Sequence, residues 1–383
     1  MYKIALDIRK IGKKETGSEI YFVNLIKNLS KIDKNNTYFL CTDSSHSEAI
    51  ARRVLKKIGK NFKFRTLKPS SKLFWTQKAL PQFCKKNKID LVHVEYISPL
   101  RLPSKTKLIT TIHDVSFKRH GEFIKRLDRM ILNFFIPKSL KKADKIISVS
   151  RFTKKEILDI YKFIPSSKVK VIYNGIDEKN FKPKNRFDKE KIISLKNKFS
   201  LKKKFILNVS SLQPRKNLPA LIKAFRDFIT KYGDEETILA IGGRKAHNYD
   251  YRIDYFFRDP TLKKRVKFLG YIKDEELPIL YSMASLYVSP SIYEGFNLPL
   301  VEVMKSAVPI IASNLSCHKE ILEDAGVLID PFDSEKFSEK IHQMLSDDKL
   351  RKKLVKKGLE RVEKFNWQKC AKNTLKTYLE FLN

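Results

Sequence analysis

Short apolar runs alternate with longer amphipathic stretches along the first half of the chain. The strand pattern KIALDI is followed by the helical pattern EIYFVNLIKNLSK, and the strand pattern TYFLCT by a basic helical stretch from about Glu48. Four more apolar runs follow, namely FKFRTL, IDLVHVE, KLITTIHD and DKIISVS. Short apolar runs predict buried strands, and strands that alternate with helices predict βαβ units around a parallel sheet.

The lysine-rich stretch from Asn180 to Lys204 interrupts this alternation, because it contains no strand pattern. We interpret it as a connection between domains together with a surface helix. The alternation resumes with KFILNVSSL and the helical pattern PALIKAFRDFITKYG, and continues through TILAIGG, RVKFLGYI, SLYVSP, VPIIAS and GVLID. The pattern therefore predicts an α/β protein with two successive Rossmann-like modules, residues 1–182 and 183–366.

The C-terminal stretch, residues 367–383, predicts one more amphipathic helix. Its apolar positions Leu375, Tyr378, Leu379 and Leu382 fall on one face at helical spacing. Two placements are open, since this helix can pack on the second domain or cross back to the first.

Composition agrees with globular domains, since 42% of the 383 residues are hydrophobic. Asp7 and Arg9 interrupt the first apolar run, which predicts a first strand rather than a leader peptide. No stretch of apolar residues is long enough to span a bilayer. The four cysteines lie far apart without metal-ligand spacing, so we predict reduced, buried thiols, no zinc site and a cytoplasmic location.

The formal net charge of +37 is the most pronounced property of the composition. From residue 49 to residue 89 there are 13 basic residues and no acidic one, with Phe62, Phe64, Phe74 and Trp75 among them. Cations beside aromatic residues suit the inner face of an anionic membrane, whereas a lysine-rich solvated surface is the alternative. Nucleic acid is a third class, which no zinc-finger or aromatic RNA-binding signature supports, so we predict no nucleic-acid partner.

Residues 293–299 (YEGFNLP) combine several features of an anion site. They follow the strand pattern SLYVSP, with Asn297 predicted as the N-cap of the next helix and Pro299 in its first turn. The exposed N–H groups of such a helix start favour a phosphate or diphosphate. Glu294 before the helix and Glu302 within it can then point into one crevice at the strand ends. A helix cap with a surface glutamate is the alternative.

Arg215 and Lys216 follow the strand pattern KFILNVS and precede a helix that Asn217 can cap. An arginine clamps phosphate oxygens through its planar fork, and a lysine adds a point charge. The pair therefore predicts a phosphate contact, with solvated surface cations as the alternative.

His113 and Gly17 are the candidate ligand contacts of the first half. His113 ends the strand pattern TTIHD, where an imidazole can bond a sugar hydroxyl, whereas His93 inside a strand is predicted to be structural. Gly17, in a predicted loop before the first helix, allows close backbone approach to a ligand, although an ordinary turn is the alternative. In the second half, Gly243 and Ile272 follow strands and can line a nucleoside pocket.

At these residues the chain resembles the family 4 glycosyltransferases, which are retaining enzymes of the GT-B class. The resemblance covers nearly the whole chain and is greatest to bacterial mannosyltransferases and related hexosyltransferases of surface polysaccharides. Its motifs are TGSEIYFVNLIKNL, TTIHDVSFKRH, ISVSRFTKKEI, VIYNGID, SLQPRKNLPALIKAF, the segment FLGYIKDEELPILYSMASLYVSPSIYEGFNLPLVEVMKSAVPIIAS and FNWQKCAKNTLKTY. It implies two Rossmann-like domains that face each other across a cleft.

The resemblance also implies how the second domain holds a nucleoside-diphosphate sugar. Arg215 and Lys216 would neutralise the diphosphate that leaves, and Glu302 would accept hydrogen bonds from ribose hydroxyls. Glu294 would lie at the transferred sugar. Backbone N–H groups of Phe296, Asn297 and Leu298 would contact sugar and phosphate, and Ile272 would flank the base.

In the first domain, the resemblance implies that His113 contacts the sugar and that the loop of Gly17 borders the diphosphate and the acceptor. The chain departs from the family pattern at three places. Glu19 stands near a position where many relatives have a second glycine, and Asn297 stands where many have glycine. The segment around His318 lacks the proline that usually precedes glutamate there.

Together these motifs predict transfer of a hexose with retained anomeric configuration, from GDP-mannose first and from a UDP-hexose as the alternative. The expected acceptor is a hydroxyl of a lipid-linked oligosaccharide or lipopolysaccharide. The chain has no DxD motif, so we expect no metal and no other cofactor. A non-catalytic basic binding module and a hydrolase or phosphorylase on the same fold are the competing classes.

Overall fold

The computed structural model describes residues 1–13, 16–69, 71–201, 203–245 and 248–382. The chain divides into two compact units. The first unit comprises Met1–Gly121, Arg126–Gly175 and Asn366–Asn383, and the second comprises Glu122–Lys125 and Ile176–Phe365.

The first unit is built on a seven-stranded sheet in which all neighbouring strands are parallel. The strand order is β3-β2-β1-β4-β5-β6-β7. The chain thus adds β2 and β3 on one side of β1 and then β4 to β7 on its other side. The strands are β1 (Lys3–Asp7), β2 (Thr37–Thr42), β3 (Phe62–Thr66), β4 (Leu91–Glu95), β5 (Lys107–Ile112), β6 (Lys145–Ser148) and β7 (Val169–Val171).

Helices form the connections between consecutive strands except that from β4 to β5, as is usual for parallel pairing. They are α1 (Thr16–Ile32), α2 (Ser45–Val54), α3 (Lys72–Phe74), α4 (Leu80–Asn87), α5 (Ser116–Arg119), α6 (Arg126–Lys142) and α7 (Arg151–Ile160). A π-helical turn at Trp75–Ala79 joins α3 to α4, and single 3₁₀ turns occur at Gly121–Phe123 and Ser166–Lys168.

The second unit repeats this design with a six-stranded parallel sheet in the order β10-β9-β8-β11-β12-β13. Its strands are β8 (Phe205–Val209), β9 (Ile238–Gly242), β10 (Val266–Gly270), β11 (Leu286–Ser289), β12 (Ile310–Ser313) and β13 (Val327–Ile329). The order reverses between β8 and β11, and open α/β sheets bind ligands beyond the strand ends at such a point.

The helices that follow in the chain are α8 (Lys189–Lys198), α9 (Leu218–Tyr232), α10 (Arg252–Tyr255), α11 (Pro260–Arg265), α12 (Leu277–Met283), α13 (Leu298–Lys305), α14 (His318–Leu322), α15 (Ser334–Ser346), α16 (Asp348–Val362) and α17 (Trp367–Leu379). Three 3₁₀ turns, Lys184–Arg186, Pro214–Lys216 and Phe256–Arg258, accompany them. None of the helices that the structure describes is both long and apolar enough to cross a membrane.

Helix α9 illustrates how local sequence determines these elements. Pro219 occupies its first turn, and Gly233 ends it with a φ of +61°, a conformation that glycine adopts at little cost. Seven of its apolar residues recur at spacings of three and four and are buried in the core of the second unit: Leu218, Leu221, Ile222, Ala224, Phe225, Phe228 and Ile229.

Helix α17 belongs to the first unit and packs against α1. Its Tyr378 hydroxyl lies 2.6 Å from Nδ1 of His93 in β4, while Nε2 of His93 lies 2.7 Å from Oγ1 of Thr111 in β5. Burial lowers the pKa of His93 to about 3, with a further decrease from His113. His93 is thus a neutral core residue that connects the helix to the sheet.

Several expectations need correction at the level of the fold. The two units meet between Gly175 and Ile176 along the chain, not after Lys182. Strand β7 (VKV) was not predicted, because a lysine separates its two apolar residues. Gly17 lies in the first turn of α1 rather than in a loop before it.

The aromatic residues of the basic stretch 49–89 are less exposed than expected. Phe62, Phe64 and Trp75 are buried in the first unit, and of the four aromatic residues predicted to face a membrane only Phe74 is exposed. Strand β3 carries its aromatic side chains on the covered face of the sheet. The cations around them are exposed: Arg52, Arg53, Lys56, Lys57, Lys60, Lys63 and Arg65.

The four cysteines are buried and form no disulfide, as the sequence predicts. Burial raises the pKa of the Cys84 and Cys370 thiols to about 12, so neither is a thiolate near neutral pH.

Candidate functional site

Two cations and one carboxylate meet where β8 and β11 end. Arg215 and Lys216 lie in the 3₁₀ turn Pro214–Lys216 that follows β8, and Glu294 lies in the loop between β11 and α13. Nη1 of Arg215 donates to Oε2 of Glu294 at 2.9 Å, and Nζ of Lys216 forms an ion pair with Oε1. The structure thus brings Glu294 next to two adjacent residues that lie almost 80 positions earlier in the chain.

Backbone contacts hold this arrangement in place. Nη1 of Arg215 also donates to the carbonyl oxygen of Tyr293 at 3.1 Å, and the N–H of Ile292 donates to the carbonyl oxygen of Arg215 at 2.9 Å. The two loops are therefore joined by main-chain as well as side-chain hydrogen bonds, which limits their freedom to move apart.

The environment keeps Glu294 ionised. Burial acts to raise the pKa of this carboxyl, but Lys216 and Arg215 outweigh it and lower the pKa to about 2. A buried carboxylate with two cations beside it leaves an excess of positive charge for an anionic ligand. A diphosphate has the charge and the oxygen spacing that Arg and Lys recognise.

Glu302 has the opposite electrostatics. It lies on α13 and is buried, and burial raises the pKa of its carboxyl to about 7, with Asp274 and Asp177 adding to the rise. The neighbouring Tyr281 lowers the pKa but does not compensate. No cation is among the groups that shift it, so Glu302 is suited to bind neutral hydroxyl groups rather than to form an ion pair.

Helix α13 begins directly after Asn297, as predicted, with Leu298 as its first residue and Pro299 in its first turn. The side chain of Asn297 does not cap the helix, which corrects the expectation. Its backbone has a φ of +61°, in the left-handed region that asparagine tolerates better than most residues. Phe296 is buried and packs edge-on against Phe365, with ring centroids 5.6 Å apart.

Asn217 shows the same pattern at the start of α9. It occupies the N-cap position with a φ of +52°, but its side chain makes no capping bond and instead donates to the carbonyl oxygen of Pro331 at 2.8 Å. The predicted position is confirmed, and the predicted capping bond is wrong.

The sequence did not identify His318 as part of this site. Nδ2 of Asn297 lies 2.8 Å from Nε2 of His318, and Nδ1 of His318 lies 2.8 Å from Oγ of Ser313, which itself donates to the carbonyl oxygen of Ser291. Burial lowers the pKa of His318 to about 4. A neutral ring that accepts at Nε2 must carry its proton on Nδ1, so the network is directed from Asn297 to Ser291. The loose family match around His318 was the only signal for it.

Gly243 and Ile272 lie at the ends of the neighbouring strands β9 and β10. Gly243 has a φ of +144°, and a Cβ there would overlap the carbonyl oxygen of Ser210, so only glycine fits. Its N–H donates to the carbonyl oxygen of Gly270 at 2.8 Å. Ile272 is buried against Gly242, while the Arg244 guanidinium stacks 4.0 Å from the ring of Tyr271.

His113 and Gly17 belong to the first unit and are described within it. Nε2 of His113 lies 2.6 Å from Oε1 of Glu95, at the ends of β5 and β4. When Glu95 accepts from Nε2–H, the neutral ring presents Nδ1 as an acceptor for a hydroxyl. Glu95 was missed, although a carboxylate at the end of a strand pattern is a usable signal. Gly17 is exposed on α1, with open space where a side chain would stand.

Among the residues that the structure describes, no cluster of three or more His, Cys, Asp or Glu side chains is placed to hold a metal ion. Arg215, Lys216, Glu294, Asn297 and Glu302 all lie in the second unit, at or next to the loops that end β8 and β11.

Comparison with known proteins gives this architecture its class. The model of the family described as Glycosyltransferase Family 4 matches residues 16–180, and that described as Glycosyl transferases group 1 matches residues 188–361. A solved glycosyltransferase from Rickettsia africae superimposes with a TM-score of 0.76 at 21% identity, covering 100% of this chain and 99% of that one. Anabaena Alr3699/HepE in complex with UDP-glucose has a TM-score of 0.76 at 17% identity, covering 99% and 100%.

In sequence, the chain is 29% identical to O-antigen chain mannosyltransferase B of Escherichia coli, over 71% of this chain and 70% of that protein. It spans 28% to 59% of the lengths of three further mannosyltransferase relatives. Two domains with parallel sheets of this kind define the GT-B fold. The chain belongs to the GT-B glycosyltransferases of the family 4 type.

Proposed function

We propose that the protein transfers a hexose from a nucleoside-diphosphate sugar to a hydroxyl group with retention of the anomeric configuration. The convergence of Arg215 and Lys216 on Glu294, beside the start of α13, is the observation that supports this most directly. As the bond to the sugar breaks, charge develops on the departing diphosphate. Fixed cations and the N–H groups at Leu298 stabilise that charge without needing to reorganise.

We propose that the reaction follows a front-face path, in which the departing phosphate takes the proton of the acceptor hydroxyl. A double displacement would need a free carboxylate as the nucleophile. The paired state of Glu294 argues against that role, because two cations reduce its nucleophilicity. Glu294 then orients the sugar and Glu302 accepts from ribose hydroxyls, both within the second unit.

GDP-mannose is the proposed donor, and the support is that the relative with 29% identity is named as a mannosyltransferase. A UDP-hexose is the second candidate, because a structure of the same fold is a complex with UDP-glucose. The proposed acceptor is a lipid-linked oligosaccharide or a lipopolysaccharide at the cytoplasmic face of the inner membrane. We propose a reaction that needs neither a metal ion nor another cofactor.

A thermal-shift screen with GDP-mannose, UDP-glucose and the free diphosphates tests the donor. A donor that binds only the folded state stabilises it by about 2.7 kcal/mol at a concentration 100 times its Kd. We expect GDP-mannose to raise the Tm in the full chain, and less so in the Lys216→Ala variant. No shift with any nucleotide sugar would contradict the proposal.

Product analysis with a radiolabelled donor separates transfer from the competing classes. Label recovered in the glycolipid supports transfer. Free labelled sugar would indicate a hydrolase, and labelled sugar phosphate a phosphorylase. A basic binding module predicts no turnover and a steep loss of affinity with salt, and the buried carboxylates Glu294 and Glu302 disfavour it because a phosphate surface would repel them.

A further inference from the structure

Helix α6 (Arg126–Lys142) packs one face against the first unit. Its buried residues are Ile136, Ser139 and Leu140, and successive residues of a helix are rotated by about 100°. These three positions therefore fall within one arc of the helix surface, which defines the inner face of α6.

The opposite face of α6 is apolar where a solvated helix would be polar. Leu127 is 68% exposed, Met130 61% and Phe134 54%, and their spacings of three and four residues place them on one stripe. By the same rotation, the centre of this stripe lies about 180° from the inner face. We call these three residues the outer stripe of α6.

Cations accompany the outer stripe. Nζ of Lys138 lies 3.3 Å from the ring centroid of Phe134, and Lys141 continues the same face toward the C-terminal end. Asp128 is the single acidic residue of the helix, against five basic ones: Arg126, Arg129, Lys138, Lys141 and Lys142. Apolar side chains flanked by Lys and Arg are the pattern of helices that lie in the interface of an anionic membrane.

We propose that the outer stripe of α6 inserts into the headgroup region of an anionic bilayer, with Lys138 and Lys141 at the lipid phosphates. A protein partner would fit less well, because lysine is depleted in the cores of protein interfaces. The net charge of +37 adds long-range attraction to an anionic surface. This proposal stands on α6 alone and does not depend on the proposed transferase activity.

The outer stripe differs from the basic surface around Lys56 and Lys60. There the aromatic residues Phe62 and Phe64 are buried, so that surface offers charge without side chains that can insert. The basic surface around Lys56 and Lys60 is thus assigned to attraction by charge, and the outer stripe of α6 to insertion of apolar groups.

A tryptophan reporter tests insertion in the full chain. The native Trp75 and Trp367 are buried, so their emission provides a constant background. In the Phe134→Trp variant we expect a blue shift with phosphatidylglycerol vesicles, and quenching when the acyl chains carry bromine. Emission that does not change with either vesicle would overturn the proposal.

Vesicle cosedimentation supplies the second measurement. Replacing Leu127, Met130 and Phe134 together by Ser should weaken binding to phosphatidylglycerol vesicles on the order of tenfold, because affinity scales with inserted apolar area. The matched control replaces three residues of the second unit by Ser, namely Ile193, Tyr251 and Phe332, whose exposed fractions are 57%, 79% and 72%. Membrane insertion would be refuted if the first variant bound vesicles as well as the unmodified chain, or if both variants lost binding equally. It would also be refuted if the unmodified chain formed a dimer that only the first variant abolished. Unaltered melting temperatures show that all variants fold.

Discussion

The side-chain amide of Asn297 lies 2.8 Å from Nε2 of the buried His318. Both residues stand where the chain departs from the family pattern, Asn297 in place of glycine and His318 in a segment without the usual proline. Their contact joins these two segments in the folded chain. Asparagine tolerates the left-handed backbone at this position, and its amide then needs a buried acceptor, which the neutral imidazole provides.

This relationship predicts a specific order of stability at position 297. Asn297→Gly loses the hydrogen bonds to His318 and Ser289 but accepts the φ of +61°. Asn297→Ala loses the same bonds and adds backbone strain, so its free energy of unfolding should be about 1 to 2 kcal/mol lower than that of Asn297→Gly. Urea unfolding of both variants measures the difference, and equal stabilities would show that the backbone conformation does not matter here.

Lys216→Ala should lower kcat on the order of 10²-fold, because it removes one fixed charge from the departing diphosphate. Arg215 still pairs with Glu294 in this variant, so the loop should keep its structure. The control is Lys263→Ala, an exposed lysine on α11 of the same unit. Full transfer activity in Lys216→Ala would remove Lys216 from the site.

The raised pKa of Glu302 predicts that donor binding depends on pH. Because the pKa of its carboxyl is about 7, it gains a proton as the pH falls through neutrality and loses acceptor capacity for ribose hydroxyls. The KM for the donor should rise as the pH falls below about 7, by up to roughly tenfold per pH unit. Glu294, with a pKa of about 2, stays ionised throughout and contributes no slope.

The matched variant for this prediction is Glu302→Gln, which cannot titrate. Its KM should be high and independent of pH across the range in which the unmodified enzyme changes. If both proteins share one pH profile, another group is responsible.

The Gly17→Ala variant tests whether Gly17 has a structural role or contacts a ligand. Nothing lies where the new methyl group would stand, and alanine is the better helix former, so the free energy of unfolding should stay constant or rise by up to about 1 kcal/mol. If the N-terminus of α1 borders the donor, the KM should nevertheless increase. An alanine variant with unaltered kinetics would exclude Gly17 from the site.

The exposed cations of the basic stretch should govern the initial attraction to anionic vesicles. Changing Lys56, Lys57, Lys60 and Lys63 to Glu reverses charge on one surface without touching the core. The control makes the same change in net charge on α16 of the second unit, at the exposed positions Lys349, Lys352, Lys353 and Lys356. We expect reduced phosphatidylglycerol binding in the first variant at low salt, and a smaller effect in the second. Unchanged binding in the first would refute its role.

The sequence by itself determined the elements of both sheets, with the exception of β7. Periodicity is a local property, and the other twelve strands each contain an apolar run that displays it. Strands that alternate with helices then leave few arrangements other than parallel sheets. The motif around Glu294 and Glu302 was also readable, because strand, loop and helix start follow one another directly in the chain.

Only the tertiary structure decided which groups meet and which are covered. Arg215 reaches Glu294 because β8 and β11 are neighbours in the sheet, and no spacing in the sequence shows that pairing. The same holds for Asn297 with His318 and for Glu95 with His113. Phe62 is buried and Phe134 is exposed because other elements of the fold cover one and not the other. The hydrophobic character of a side chain does not by itself show whether it will be covered.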